Sequence, residues 1–271
     1  MALSPDGTGG PPGGFIHPSL PSPAPSSFST STATPSSLPR QRAHPLKAGS
    51  IKETALINHI DKSILTVNRR HAKKFSSAIG EQDIPEAERG YESFKEVVKD
   101  LEAIIDIVWV SGTPSLQIPY LISLAGLVNS YLPEYPFSPR STFRLIKKLD
   151  AIFASLLTGE DADTGAPISG FENRRNVVSM TEKVRIKSLA EACRIAVVEA
   201  RDREDSRVTE EEEADGMDVD GTGDENENED EDVYGTDDYV DAPDRWEMEG
   251  ARVYERTIQL LGDELGKQGG L

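Results

Sequence analysis

Apolar residues recur three or four positions apart in several long stretches of this chain, which is the spacing of one face of an α-helix. The most apolar stretch, residues 101–132, is interrupted in its middle by the sequence SGTP at 111–114. Glycine stops a helix, and threonine followed by proline starts one, so the interruption predicts two helices that meet at a sharp turn. Because both are apolar on nearly all sides, we expect them to form the floor of a helical core.

The other periodic stretches begin at recognisable helix starts. Ser50 opens the sequence SIKE and Ser179 opens SMTE, and both are capping-box patterns. Ser138 followed by Pro139 is a further start, and Gly159 is a stop. The five helices predicted in this way cover about residues 50–75, 91–110, 113–132, 138–159 and 179–201.

The predicted fold class is therefore all-α, a helical bundle of about five helices with additional segments at its ends. Residues 244–266 show one more amphipathic pattern, and this C-terminal helix could dock on the bundle or on a partner. The predicted organisation has four parts: a disordered tail rich in Pro, Ser, Gly and Thr at 1–45, the bundle at 46–201, a disordered acidic arm at 202–243, and the C-terminal helix and end at 244–271.

A membrane span is not expected. The purest apolar run, 118–132, is shorter than the roughly 20 residues that a span needs and contains Pro119. The residues before it include Glu102 and Asp106, which are costly in lipid. The first residues also lack a basic start followed by an apolar run, so we expect no secretory signal.

The charge of the chain is concentrated in one segment. The formal net charge is −18, and residues 202–244 hold 21 Asp and Glu against two Arg, or −19, which leaves about +1 for the rest. Binding to nucleic acid depends largely on neutralising phosphate with Lys and Arg. We therefore expect no direct nucleic-acid partner.

Apolar side chains are placed among the acidic ones, a composition typical of interaction segments in which charges steer and aromatic residues anchor. The candidate partner-binding residues in and just after the arm are Val233, Tyr234, Tyr239, Val240 and Trp246.

Motifs that carry catalysis are missing from the sequence. It contains no G-x-x-x-x-G-K-[ST], no H-E-x-x-H, no paired Cys or His for zinc and no G-x-S-x-G. Asp161 and Asp163 begin a pattern similar to a calcium loop, but its later ligands are absent. Cys193 lies on the apolar face of the fifth helix, where we expect a buried small hydrophobic side chain. We expect no enzyme, cofactor or metal.

Two basic clusters leave alternatives open. The sequence RRHAKK at 69–74 suits the negative end of the first helix dipole, and it could also meet an acidic partner or the acidic arm. A second cluster lies on the polar side of the fourth helix and could be a partner patch, although a solvated face is the expected outcome; its members are Arg140, Arg144, Lys147 and Lys148.

Three strings carry a resemblance to a known family. They are HPLKAGSIKETALINHIDKSILTVNRRHAKKFS at 44–76, GYESFKEVVKDLEAIIDIVWVSGTPSLQIPYLISLA at 90–125, and the helix openings FSPRSTFRLIKKLD and SMTEKVRIKSL. The segment from 44 to about 200 resembles the fungal subunit-11-type component of the general transcription factor TFIIH. That resemblance implies a nuclear, non-catalytic regulatory subunit that promotes dissociation of the DNA translocase (helicase) subunit of TFIIH.

The acidic strings at 229–234 and 236–241 resemble segments that dock on the pleckstrin-homology domain of a TFIIH core subunit. The resemblance thus implies two partners, the translocase and that domain. Two other hypotheses stay open at this point: an acidic histone-binding chaperone, in which the arm would neutralise histones, and a scaffold of another nuclear complex.

Overall fold

The computed structural model describes residues 36–75, 89–172, 177–215 and 248–268. Within these ranges the regular structure is helical, without a β-strand, and the predicted all-α class is confirmed. The helices are α1 (Ile51–Ala72), α2 (Phe94–Val110), α3 (Pro114–Tyr131), α4 (Pro139–Thr158), α5 (Met180–Asp215) and α6 (Glu255–Gln268), with a 3-10 turn at Leu132–Glu134.

Helix α2 lies at the centre of the bundle. It packs against α1, α3 and α4, while α5 packs against α3 and α6 packs against both α4 and α5. Leu101, Ile105 and Trp109 of α2 are fully or almost fully buried. The α2–α3 hairpin is therefore the floor of the core, as predicted. Among the described helices, none has the length and apolar content that crossing a bilayer requires.

Both predicted capping boxes begin helices. At α5, Ser179 Oγ accepts from the amide of Glu182, and the Glu182 carboxylate accepts from the amide of Ser179 at 2.7 Å. At α1, Ser50 Oγ accepts from the amide of Glu53, but the Glu53 carboxylate reaches one residue further back and accepts from Gly49. These bonds satisfy backbone donors that have no partner inside a helix.

The turn between α2 and α3 is fixed by backbone geometry and by side chains. Gly112 has φ +56°, in the left-handed region that favours glycine. Thr113 Oγ1 does not cap α3; it donates to the Ser111 carbonyl at 3.0 Å and accepts from the Leu46 amide at 2.9 Å. The side-chain amide of Gln117 donates to the Trp109 carbonyl at 2.8 Å, which ties the two helices together.

Residues 36–45 differ from the expectation, which placed them in a disordered tail ending at 45. Trp109 Nε1 donates to the Pro39 carbonyl at 2.9 Å, the Arg42 amide donates to the Val110 carbonyl at 3.1 Å, and Leu38 is only 7% exposed. This segment is extended and irregular, so it has no apolar period that could have marked it in the sequence.

The fifth helix also runs past the predicted arm boundary at 202 into the acidic sequence. Helix α5 continues to Asp215, because Glu and Arg favour helix and because Arg203 Nη1 donates to the Pro133 carbonyl at 2.6 Å. After the gap, a helical turn at 248–251 precedes α6, which begins at Glu255, later than the predicted 244.

Candidate partner-binding surfaces

The C-terminal helix is held on the bundle by a carboxylate from another helix. Asp150 of α4, 8% exposed, accepts from the amides of Arg256 and Thr257 at 3.3 and 2.9 Å and from Thr257 Oγ1 at 2.6 Å. The first amides of a helix have no partner within it. Asp150 therefore supplies the N-terminal cap of α6 from outside that helix.

Apolar contacts and one further hydrogen bond complete this anchor. Val253, Tyr254 and Leu261 are buried, and the Tyr254 ring lies 6.1 Å from the Phe153 ring of α4. Arg194 of α5 donates to the Ala251 carbonyl at 2.7 Å. Of the two docking sites left open by the sequence, the structure thus shows α6 on the bundle.

The acidic segment 216–247 connects two points of one framework, the end of α5 at Asp215 and the anchored stretch that starts at Met248. It has 32 residues and holds 14 Asp and Glu against one Arg. All five candidate partner-binding residues lie in this segment, outside the described residues: Val233, Tyr234, Tyr239, Val240 and Trp246.

The C-terminal end of the arm enters the framework beside the contact of α2 with α4. Lys147 pairs with Glu249 at 2.7 Å, and its neighbour Lys148 pairs with Asp106 of α2 at 2.8 Å. Arg144 pairs with Glu102 at 2.9 Å along the same contact. These cations bridge α4 to its neighbours, yet Arg144 and Lys147 stay 65% and 63% exposed, so most of this basic face is solvated as expected.

An apolar groove runs between α1 and α2. It consists of two sections of about 520 and 640 Å³ that share Ile107, whose side chain is 36% exposed. Leu56 and Val110 line the first section, and Val67 and Ile104 line the second. Together the two sections follow α1 from Lys52 to Arg70, about 27 Å at the helical rise, a length that suits a peptide segment.

The free charges at the groove are positive. Arg42, Lys52 and Lys62 line it with exposed side chains that have no ion pair or side-chain hydrogen bond among the described residues. Its two carboxylates are already paired: Asp100 with Arg70 at 2.6 Å, and Asp106 with Lys148. The groove therefore combines an apolar floor with cations at its edge, which favours an acidic segment with apolar anchors.

The basic cluster at 69–74 is built largely into the bundle. Arg70 is buried, pairs with Asp100 and stacks its guanidinium 4.1 Å from the centre of the Tyr91 ring. Lys74 pairs with Glu134. These two cations hold the end of α1 in place, so their charges are not available to an acidic partner.

His71 lies in an aromatic setting at the same end of α1. Its ring stacks on Tyr131 with centroids 3.6 Å apart, and its Nε2 is 3.4 Å from Glu134. Burial lowers the pKa of His71 below its ordinary value; Glu134 works against this shift and Lys74 adds to it. The neutral imidazole is therefore favoured in the folded protein.

The loop after α4 uses its carboxylates to hold other parts of the chain. Asp161 accepts from Ser36 Oγ, and Asp163 accepts from Ser37 and from Arg256 Nη1 at 2.7 Å. Burial opposes ionisation of both, but these hydrogen bonds outweigh it and lower the pKa of each carboxyl. Within the described ranges, no group of three or more His, Cys, Asp or Glu side chains is placed to bind a metal ion.

Cys193 is fully buried on α5, and burial raises the pKa of its thiol to about 12. It packs as the small hydrophobic side chain that the sequence predicted.

The outer face of α5 also exposes apolar residues. Met180, Val184, Ile195 and Val198 are each between 41% and 60% exposed. Their positions repeat the three-to-four spacing, but an ion pair of Lys187 with Glu191 at 3.2 Å lies between the first two and the last two. A helical wheel of α5 shows this exposed stripe. It was missed because the buried apolar residues of the same helix already explained the three-to-four spacing.

The fold and these surfaces define an all-α module with an anchored acidic arm. A family model described as subunit 11 of the general transcription factor TFIIH matches residues 90–262, which is 173 of 271 residues. The chain belongs to this family. The matched part contains the core helix α2, the whole acidic arm and most of α6.

A protein of Schizosaccharomyces pombe, described as uncharacterised, is 25% identical to this chain over 148 residues, which is 53% of the chain and 76% of that protein. No solved structure matches the chain significantly. Family membership associates the chain with TFIIH and with transcription, and it confirms the resemblance found in the sequence.

Proposed function

We propose that the chain is a non-catalytic nuclear subunit of TFIIH that binds the DNA translocase subunit and promotes its dissociation from the complex. The observation that carries this proposal is the family match over residues 90–262, which includes the arm together with α4 and α5, on which α6 is anchored. A rigid helical body can present a groove or a helix face to a partner while the acidic arm steers the encounter.

Recovery of partners from the native host tests the association with the translocase. The full chain is tagged and purified at moderate salt, and the co-purified proteins are quantified. We expect the TFIIH translocase to co-purify with the chain. Its ratio to the core subunits should differ from the ratio in TFIIH itself. Histones as the main partners, lost when residues 216–247 are replaced by a neutral linker of the same length, would contradict the proposal in favour of a histone chaperone.

The arm is proposed to bind the pleckstrin-homology domain of a TFIIH core subunit. Its anchors would be the pairs Val233-Tyr234 and Tyr239-Val240, with Trp246 as a further contact. Aromatic anchors contribute most of the affinity at such interfaces, while surrounding carboxylates act mainly on the association rate.

Titration of the full chain against that isolated domain tests this proposal. Replacing Tyr234 and Tyr239 by Ala should weaken binding by about tenfold or more, since truncation of an aromatic anchor typically costs ~1–2 kcal/mol. Replacing Thr236 by Ala is the matched control within the same segment and should change little. Equal binding by the double variant, or binding that is insensitive to salt, would contradict the assignment.

A further inference from the structure

We propose that the groove between α1 and α2 binds residues 229–241 of this chain's own arm. The proposal concerns the chain by itself and does not rest on its function in TFIIH. Three features carry it: the composition of the groove, the position at which the arm rejoins the bundle, and the match between two apolar sections in the groove and two apolar pairs in the segment.

The charges of groove and segment are complementary. Residues 229–241 contain seven Asp and Glu and no Lys or Arg. The cations at the groove that lack a partner among the described residues are Arg42, Lys52 and Lys62, whereas Asp100 and Asp106 are paired. Binding an acidic segment there adds ion pairs without leaving a buried carboxylate unpaired.

The arm rejoins the bundle close to the groove. Glu249 pairs with Lys147, and the next residue, Lys148, pairs with Asp106, which itself lines the groove. Two lysine side chains on neighbouring residues place these carboxylates within roughly 20 Å of each other. The stretch between Asp241 and Met248 spans up to about 23 Å, so the segment reaches the groove without strain.

The apolar positions also agree in number and spacing. The centres of the two sections lie about ten residues apart along α1, which corresponds to ~15 Å at the helical rise. The pairs Val233-Tyr234 and Tyr239-Val240 are six residues apart and can be separated by up to about 20 Å. The pair nearer to Met248, Tyr239-Val240, is therefore assigned to the section beside Leu56, and Val233-Tyr234 to the section beside Val67.

Paramagnetic relaxation in the full chain tests this contact directly. Thr236, between the two pairs, is replaced by Cys and spin-labelled; the natural Cys193 is buried and its thiol pKa is raised, so it stays unlabelled. We expect strong broadening of the Ile107 methyl signals at low salt, and none for Ile195, which is exposed on α5. High salt should restore the Ile107 signal several-fold, because it screens exposed charges.

Charge reversal at the groove provides the matched comparison. Arg42→Glu with Lys52→Glu should restore the Ile107 signal, whereas Lys95→Glu with Arg185→Glu, which reverses two exposed cations that do not line the groove, should leave it broadened. Unchanged signals of the buried Ile105 show that each variant is folded.

Equal broadening of Ile107 and Ile195, no broadening, or no response to reversal at Arg42 and Lys52 would each overturn the proposal. Broadening that appears only when spin-labelled chains are mixed with separate isotope-labelled chains would instead show a contact between two copies. That outcome would also overturn it.

Discussion

The buried carboxylate of Asp150 holds the C-terminal helix α6 on the bundle. It sits on α4, yet its hydrogen bonds go to the first residues of α6, 107 positions later in the chain. Without them the amides of Arg256 and Thr257 would have no helical partner, and the buried Thr257 hydroxyl would keep only the longer bond to the Asp150 carbonyl at 3.3 Å. The anchored end of the acidic arm therefore depends on this side chain.

Replacing Asp150 by Ala should release α6. We expect a loss of about 1–3 kcal/mol in the free energy that holds α6 on the bundle, the range for losing a cap and leaving buried donors unsatisfied. Hydrogen exchange at the amides of Ile258 and Leu261 in α6 measures this directly. Asp263→Ala, which changes an exposed carboxylate of the same helix, is the control and should stay within ~0.5 kcal/mol. Equal exchange in both variants would show that Asp150 does not anchor α6.

His71 predicts how the stability depends on pH. Its pKa is lowered in the folded protein, so the unfolded chain binds the proton more readily. The free energy of unfolding should therefore fall as the pH drops below about 6.5, the ordinary value for histidine. Urea unfolding at pH 7.5 and 5.5 measures the difference.

The variant His71→Gln should reduce that difference, while His59→Gln, which removes an exposed histidine of the same helix, should not. The groups facing His71 are Glu134, Lys74 and the rings of Tyr131 and Tyr135. An unchanged pH dependence in the His71 variant would show that its burial does not affect stability.

At the scale of elements, the α2–α3 turn depends on a glycine. A Cβ on Gly112 would lie 2.9 Å from Ser169 Cβ and 3.2 Å from the Arg42 carbonyl, and its φ of +56° is unfavourable for other residues. Gly112→Ala should lower the free energy of unfolding by about 1–3 kcal/mol. Gly126→Ala, inside α3, would place its new methyl group 3.9 Å from the nearest side chain and should instead raise it by ~0.5–1 kcal/mol. Urea unfolding compares the two, and a similar loss in both would contradict the account of the turn.

The helices could be predicted because their evidence is local. Capping residues such as Ser50 and Ser179, and the stop at Gly112, act within one turn of the helix they begin or end. The three-to-four spacing of apolar residues predicted which stretches of the chain form the core helices and in what sequence they follow one another. The same reasoning placed Cys193 in the core.

The remaining features depend on distant contacts that leave no pattern in the sequence. The Pro39 carbonyl is bound by Trp109, 70 residues away, and nothing in residues 36–45 repeats with a helical or strand period. Asp150 resembles an ordinary polar position of α4 until α6 is placed beside it. The groove could not be predicted because it forms only when α1, α2 and the segment that holds Arg42 are in position.

For the whole molecule, the described residues form a nearly neutral helical body, and most of the negative charge lies in the acidic arm. The arm is tied to the body at both ends, at α5 and at Met248, so the local concentration of the arm near the groove is high. A subunit built in this way can exchange contacts with its own body for contacts with a partner. Such an exchange would be one way for the arm to act in the proposed release of a translocase.

The most direct test of that role is a release assay. TFIIH is immobilised through a core subunit, the full chain is added, and the translocase is quantified in solution and on the support over time. We expect the chain to accelerate transfer of the translocase to solution, while the core stays bound. The effect should be lost when 216–247 is replaced by a neutral linker, and it should be reduced by Asp150→Ala but not by Asp263→Ala. A translocase that stays with the core at every concentration of the chain would contradict the account.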